Sequence, residues 1–375
     1  MKIHGPGWEE VKPLGSGGQG KVFLVRSPES VKKRSEQRSA IKQSIRVISS
    51  IQTEETRDEA VSNFTSAIST YTSQDDPAHF GALKILDIIG DGPEAQKAMG
   101  RLESEVKALS EISHPSILKL LYADVQSRRM ITEYHPKRTL TANRDRFRGN
   151  VRASLEAFRP LVDAVTILHG REPKIIHRDI KPDNIFVGSD GRLILGDFGI
   201  VFFQDENKER LTSTIGEKVG TADWMAPWAN VRERLDEPNP TFDIFPLGKV
   251  LWWMVSGKPN LPFWYHREPD HNLETIYQRD PDMAHVNRIL DHCVVEREKD
   301  CLPDAGKLLK MVNESLKVVS RVGQFLVDGV YQPCRVCGNG KYKPEEEQAH
   351  IGHLWAKVSR CTTCGHIQLF TANPR

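Results

Sequence analysis

Ile176-His177-Arg178-Asp179-Ile180-Lys181-Pro182-Asp183-Asn184-Ile185 is the stretch on which the fold turns, and Asp197-Phe198-Gly199 follows thirteen residues after its Asn184. The apolar run Leu193-Ile194-Leu195 stands just before the second motif. Upstream, β patterns prevail. Residues 8–26 read as two strands around a glycine turn, Phe80 to Ile89 as a third, and Leu118–Val125 and Arg129–Tyr134 as two more. One helix interrupts them over Glu94 to Ile112, with Leu102, Val106, Leu109 and Ile112 on one face, and it stops before Pro115. Downstream, helical periodicity takes over at about 151–169, 242–256, 284–293 and 304–319. A β-rich first part and a helical second part predict an α+β fold of two unlike lobes.

Near the N-terminus, Gly15-Ser16-Gly17-Gly18-Gln19-Gly20 lies between the first two predicted strands. Glycines let the backbone bend sharply and bring its N–H groups against phosphate oxygens. A dinucleotide-binding fold requires a helix directly after the last glycine. Lys21-Val22-Phe23-Leu24-Val25 is β-like instead, which favours a loop covering ATP. A lysine on the next strand then reaches the phosphates. Two candidates exist, Lys42 in Ala40-Ile41-Lys42 and Lys84 in Ala82-Leu83-Lys84. Glu105 lies 21 residues beyond Lys84, which fits a strand, a short loop and three helical turns, but 63 beyond Lys42. The spacing selects Lys84 with Glu105, the latter preferred to Glu103 because it adjoins Val106 on the inward side.

With these motifs in this order, the chain resembles the eukaryotic-type protein kinase superfamily over roughly residues 8–320. The resemblance implies a bilobal kinase-like fold and an enzyme using ATP and Mg²⁺ to phosphorylate proteins. It implies that Gly15, Gly17, Gly20 and Val22 cover the nucleotide, with Glu133 at the segment that contacts adenine. Lys84, paired with Glu105, grips the α- and β-phosphates, and Asn184 and Asp197 hold Mg²⁺ through oxygen ligands. Asp179 orients the substrate hydroxyl and accepts its proton, Lys181 neutralises charge on the transferred phosphoryl group, and Asp243 braces the catalytic loop. Lys181 and Gly220-Thr221 resemble the serine/threonine branch. Thr212, Ser213 and Thr214 lie in the implied activation loop, where a phosphate is expected to pair with Arg178.

Three features depart from the family pattern. Gln19 stands at the loop tip, where a bulky side chain is usual. Ala226-Pro227-Trp228 replaces the usual Ala-Pro-Glu, and Leu302-Pro303 replaces the arginine that pairs with that glutamate, so both halves of a buried ion pair are exchanged for apolar groups. Residues from about 27 to 79, rich in Ser, Thr, Lys, Arg and Glu, form an insertion. Thr56 and Glu59 have capping-box spacing ahead of Val61, Phe64, Ile68 and Tyr71, predicting one amphipathic helix there. Trp252 and Trp253 read as core.

Cys334-x-x-Cys337-Gly338 and Cys361-x-x-Cys364-Gly365 form two knuckles separated by residues 338–360. That spacing predicts a β-rich zinc ribbon in which four thiolates hold a structural Zn²⁺. His350, His353 and His366 are nearby substitutes for a ligand, and the ribbon's partner is left open between protein and nucleic acid. Cys293 and Cys301 read as ordinary thiols.

The whole then divides into an N-lobe over 1–134, a C-lobe over 135–320 and a ribbon over 325–375. A net charge of +2, from 52 Lys and Arg against 50 Asp and Glu, gives no global attraction to nucleic acid or anionic lipid. No apolar run approaches the ~18 residues of a membrane span, and the N-terminus lacks a signal-peptide core. The expected location is the cytoplasm.

Overall fold

The computed structural model describes residues 2–17, 20–32, 35–36, 39, 41–43, 79–87, 90, 92–204, 223–230, 238–278, 280, 282–319, 323–324, 326–327, 330–331, 341–351, 354–362 and 365–370. The chain forms two compact units, Met1–Ser113 with Leu118–Pro136, and His114–Ile117 with Lys137–Arg375.

The first unit holds a six-stranded antiparallel sheet and a long helix, with further helical residues in the excursion at 28–32 and 41–43. Its strands are β1 (Ile3–His4), β2 (Trp8–Gly17), β3 (Gly20–Arg26), β4 (Phe80–Ile85), β5 (Leu120–Asp124) and β6 (Arg129–Glu133), in the order β1-β2-β3-β4-β6-β5. Trp8, Val25, Leu83 and Ile131 form its buried centre, with Phe23, Ile85 and Tyr122 against them. The excursion after β3 does not disturb the sheet. Arg26 pairs with Phe80, and Ser27 N–H donates to the His79 carbonyl at 2.9 Å, so the insertion closes at its base. Lys42 falls in that excursion and is exposed. The amphipathic helix expected near Val61 to Tyr71 lies outside the described residues.

Helix α1 (Pro93–Glu111) buries Ala95, Leu102, Glu105, Ala108 and Leu109, a stripe at helical spacing. Val106 is only half-buried, so the inward stripe passes through Glu105 itself and not through its neighbour as the sequence suggested. Strand β4 is shorter than predicted and ends at Ile85, because Leu86 N–H turns to the Arg128 carbonyl.

In the second unit, α2 (Val151–His169) is capped by Asn150, whose side chain accepts from Ala153 N–H at 2.9 Å. Strands β7 (Lys174–Ile176), β8 (Ile185–Val187), β9 (Leu193–Leu195) and β10 (Phe202–Gln204) follow as two short ladders, β7 with β10 and β8 with β9. Helix α3 (Thr241–Ser256) is buried along its whole length, Trp252 and Trp253 included. Such all-round burial makes it the axis of the unit. Helices α4 (Leu273–Ile276), α5 (Met283–Cys293) and α6 (Ala305–Val319) follow among the described residues. Cys293 and Cys301 are buried free thiols.

The tail adds β11 (Gly323–Gln324), β12 (Leu326–Val327), β13 (Val330–Tyr331), β14 (Lys341–Ile351), β15 (Leu354–Cys361) and β16 (Ile367–Phe370). Four of them form a sheet in the order β11-β14-β15-β16. Lys343 on β14 donates to His285 Nε2 at 2.8 Å and lies 3.5 Å from Asp282 Oδ1, which ties this sheet to the start of α5. No described helix is long and apolar enough to cross a membrane.

Candidate active site

Within the first unit, Gly15, Val22 and Lys84 are brought together by strand register. Gly15 pairs with Val22, and Val22 pairs with Lys84. A Cβ at Gly15 would meet open space, so its backbone is approachable. Gly20 has the opposite constraint. Its φ is +141° and a Cβ there would lie 2.1 Å from the Ile85 carbonyl oxygen, so only glycine fits where the hairpin crosses β4. Gly17 is the last residue of β2, opposite Gly20. Gly18 and Gln19 at the tip are outside the described residues.

Lys84 Nζ donates to Glu105 Oε2 at 2.8 Å, with the carboxylate side chain 5% exposed and the lysine 24%. At the other edge, Glu133 closes β6. Its N–H donates to the Lys119 carbonyl, and its Oε1 accepts from Lys119 N–H at 3.1 Å. Burial works to raise the Glu133 carboxyl, but the neighbouring His135 and Lys119 N–H outweigh it and hold the group below its ordinary value.

In the second unit the thirteen-residue interval between Asn184 and Asp197 is a hairpin. Ile185 pairs with Leu195, and Gly196 N–H donates to the Asn184 carbonyl at 2.9 Å. The two motifs thus stand side by side although distant along the chain. Asp197 sits in the left-handed region with φ 57°, and so does Arg178 with φ 67°. Non-glycine residues hold such angles only where their surroundings over-determine them.

Asp243, on α3, supplies much of that determination. Fully buried, it accepts from His177 N–H and Arg178 N–H, each at 2.8 Å, and lies 3.0 Å from His169 Nε2. Burial alone would raise its carboxyl, yet His169 and His177 outweigh burial and hold it below the usual range. His169 Nδ1 receives Ala305 N–H at 3.4 Å, so its Nε2 carries the proton toward Asp243. His177 likewise donates from Nε2 to the Gly196 carbonyl at 3.1 Å, while its Nδ1 accepts from Asp179 N–H at 3.3 Å. Its ring meets the buried Phe198 edge-on at 4.7 Å.

The loop so held presents Asp179. Its Oδ2 accepts from Lys181 Nζ at 2.7 Å and from Asn184 Nδ2 at 2.8 Å. Asn184 Nδ2 also donates to the Asp179 carbonyl, so the amide is fixed, and its oxygen has no hydrogen bond among the described residues. Asp179 Oδ1 is shielded from solvent and has no hydrogen-bond partner among the described residues. A shielded, unpaired carboxylate oxygen is costly and marks an acceptor built for an incoming donor. Arg178 Nε donates to the Ile200 carbonyl at 2.6 Å, with its guanidinium 5.7 Å from the Phe202 ring. Thr212, Ser213, Thr214, Gly220 and Thr221 are outside the described residues.

Sequence reasoning did not single out His169, Thr241 or Lys249. Nothing in their local pattern signals them, since each acts on a partner distant along the chain or on backbone. The departure at Trp228 also differs from expectation. Its indole N–H donates to Thr241 Oγ1 at 3.0 Å and its ring meets Phe245 edge-on at 5.7 Å, while Leu302 is only half-buried. Glu298 joins this cluster through Asn239 at 2.6 Å, so the replacement is partly polar and not wholly apolar.

In the tail, Cys361 ends β15 and is buried. Gly365 N–H donates to the Cys361 carbonyl at 3.0 Å with φ 72°, and Cys361 N–H donates to the His366 carbonyl at 2.8 Å. Cys334, Cys337 and Cys364 lie outside the described residues. Among the described residues no group of three His, Cys, Asp or Glu is arranged to hold a metal ion.

The chain is 34% identical over 164 residues to the probable serine/threonine-protein kinase WNK10 of Arabidopsis thaliana, covering 42% of this chain and 29% of that protein. It is 29% identical over 201 residues to human mitogen-activated protein kinase kinase kinase 4, covering 53% and 12% respectively. With Aurora/IPL1-related protein kinase 2 of Caenorhabditis elegans it shares 29% identity over 202 residues, covering 51% and 60%. The chain thus spans less than two thirds of each of these relatives. Residues 65–317 match the protein kinase domain, a match that begins after the glycine hairpin, and the chain belongs to that family.

Proposed function

We propose that the chain is an ATP-dependent serine/threonine protein kinase, and the observation that carries this reading is the Asp179 carboxylate, held on one oxygen and open on the other. A serine or threonine hydroxyl donates its proton to Asp179 Oδ1 as its oxygen attacks the γ-phosphorus. The bond from that phosphorus to the β,γ-bridging oxygen breaks, and ADP leaves. Lys181, beside the same carboxylate, neutralises charge on the phosphoryl group in transit. Lys84, oriented by Glu105, holds the α- and β-phosphates under Gly15, Gly17, Gly20 and Val22, and the adenine lies at the Glu133 segment. Most of the catalysis in such a transfer is positioning and charge neutralisation.

The free Asn184 amide oxygen and the Asp197 carboxylate are hard oxygen donors on adjoining backbone and suit Mg²⁺. Bound there, Mg²⁺ neutralises the phosphate oxygens. One of Thr212, Ser213 and Thr214 is the autophosphorylation site, and the new phosphate pairs with Arg178. In the tail, the Cys361–Gly365 turn supports a zinc knuckle, with Cys334, Cys337, Cys361 and Cys364 as the ligands of one structural Zn²⁺.

Incubation with labelled ATP and Mg²⁺, beside Asp197→Asn, tests the reading. Label on serine or threonine in the unaltered chain alone is expected. Bound ATP without transfer to itself or to casein would overturn it. Elemental analysis is expected to find about one zinc per chain, lost when Cys361 and Cys364 are both changed to serine.

A further inference from the structure

Lys249 and Asp243 are the two charged residues of helix α3. Lys249 is 3% exposed. Burying an ammonium without a carboxylate partner costs several kcal/mol, and the Asp243 oxygens are already taken by His169, His177 and Arg178. Lys249 Nζ instead donates to the backbone carbonyl of Asp223, with the Phe245 ring 5.6 Å away. Burial drags its pKa down to about 8, and the exposed Asp223 carboxylate pulls it back up.

Thr241, Phe245 and Lys249 are spaced by four along α3, so they line one face. Each holds a point of one segment. Thr241 Oγ1 accepts the Trp228 indole N–H, Phe245 receives the Trp228 ring, and Lys249 takes the Asp223 carbonyl. Residues Asp223 to Trp228 are therefore fastened to the central helix at both ends. Gly220-Thr221, the substrate-binding pair of the functional reading, lies one residue before Asp223 in the sequence.

We propose that Lys249 is a positioning residue for the protein substrate, clamping the segment after Gly220-Thr221 to α3 and replacing, with Trp228, the ion pair that this chain lacks. The substrate half of the proposal rests on the kinase reading. The clamp itself does not. Lys249 touches neither nucleotide nor the reacting hydroxyl. It acts by fixing the backbone on which the acceptor peptide lies.

Amide hydrogen exchange on the full chain, unaltered and Lys249→Met, tests the clamp without requiring catalysis. Methionine has similar length and no charge, so the thermal midpoint is expected to hold or rise, as burial of the charge is relieved. Peptides covering residues 221–227 are expected to exchange about tenfold faster, with α3 and the 176–185 loop unchanged. Trp228→Phe, which keeps the ring and removes the N–H donor, is expected to loosen the same peptides to a smaller degree. In parallel, the KM for casein is expected to rise about tenfold in Lys249→Met, with the KM for ATP unchanged. Unchanged exchange at 221–227 would overturn the clamp. So would faster exchange throughout the second unit with a falling thermal midpoint, which is the mark of a merely structural lysine. If the unaltered chain transfers no phosphate, the functional reading and the substrate half fall together, and exchange still decides the clamp.

Discussion

Glu105 reaches Lys84 by a side-chain contact from a helix to a strand, whereas the Asp179 loop is held through its own backbone. The first contact joins a buried carboxylate to an ammonium with a quarter of its surface exposed. A shift of α1 that parted them would leave the lysine to water but the carboxylate buried without its partner, so the pair ties α1 to β4. The second arrangement fixes His177 and Arg178 N–H groups on a carboxylate with no exposure at all, flanked by His169. Two left-handed residues, Arg178 and Asp197, sit at that loop and its neighbour. Each such conformation costs roughly 1–3 kcal/mol, which the surrounding bonds must offset. The Lys84–Glu105 pair therefore rests on side chains, and the Asp179 loop is preorganised by its backbone.

That contrast can be broken by experiment. The largest effect is expected at Asp179→Asn, which keeps the shape but removes the basic oxygen. The transfer rate should fall ~10²–10⁴-fold, read by labelled phosphate, with ATP affinity little changed. A fall of less than tenfold would remove Asp179 from its role.

Asp243→Asn should come next, because an amide presents N–H groups where two backbone N–H groups already point. A loss of about 3–5 kcal/mol is expected in urea unfolding. Since the Asp243 carboxyl is depressed in the folded chain, its contribution is complete above the ordinary carboxylate range near pH 4. It is lost as pH falls through the lower folded value. The two proteins should therefore converge in stability in strong acid, and a difference that persists there would refute the linkage.

Lys249 should act in alkali, and there too stability should rise with pH. Its folded pKa of about 8 lies below the ordinary 10.5, so between those values the unfolded chain binds the extra proton and stability rises with pH. About 3 kcal/mol at most is expected from this group, and Lys249→Met should abolish that rise in unfolding measured from pH 7 to 10.5.

The smallest effect belongs to Glu105→Gln. Transfer should slow about tenfold, equivalent to about 1.4 kcal/mol, with under about 1 kcal/mol of stability lost. A loss as large as that at Asp179 would erase the distinction between the pair and the loop.

Much of this was legible along the chain. The helices around Leu102 and Leu155 show in periodicity, because one face of each must meet a core. Lys84 was separable from Lys42 by distance to Glu105 alone, and the structure brings Lys84 and Glu105 within 2.8 Å. Less legible was the depth of Glu105, since adjacency to Val106 pointed to the right residue for a partly wrong reason. The cluster at Trp228 was misread because its partners, Thr241 and Asn239, are small polar residues that could satisfy an N–H in many ways.

By itself, the sequence determined the order of strands and helices, the motifs around Asp179 and Asp197 and the lysine on β4, because these depend on local pattern and on spacing. Only the tertiary structure decided that Asp179 keeps one oxygen open, that His169 and Asp243 brace its loop, and that Lys249 lies beneath the segment before Trp228. Such contacts join residues far apart in the chain, and their strength comes from shared burial, which no stretch of sequence contains.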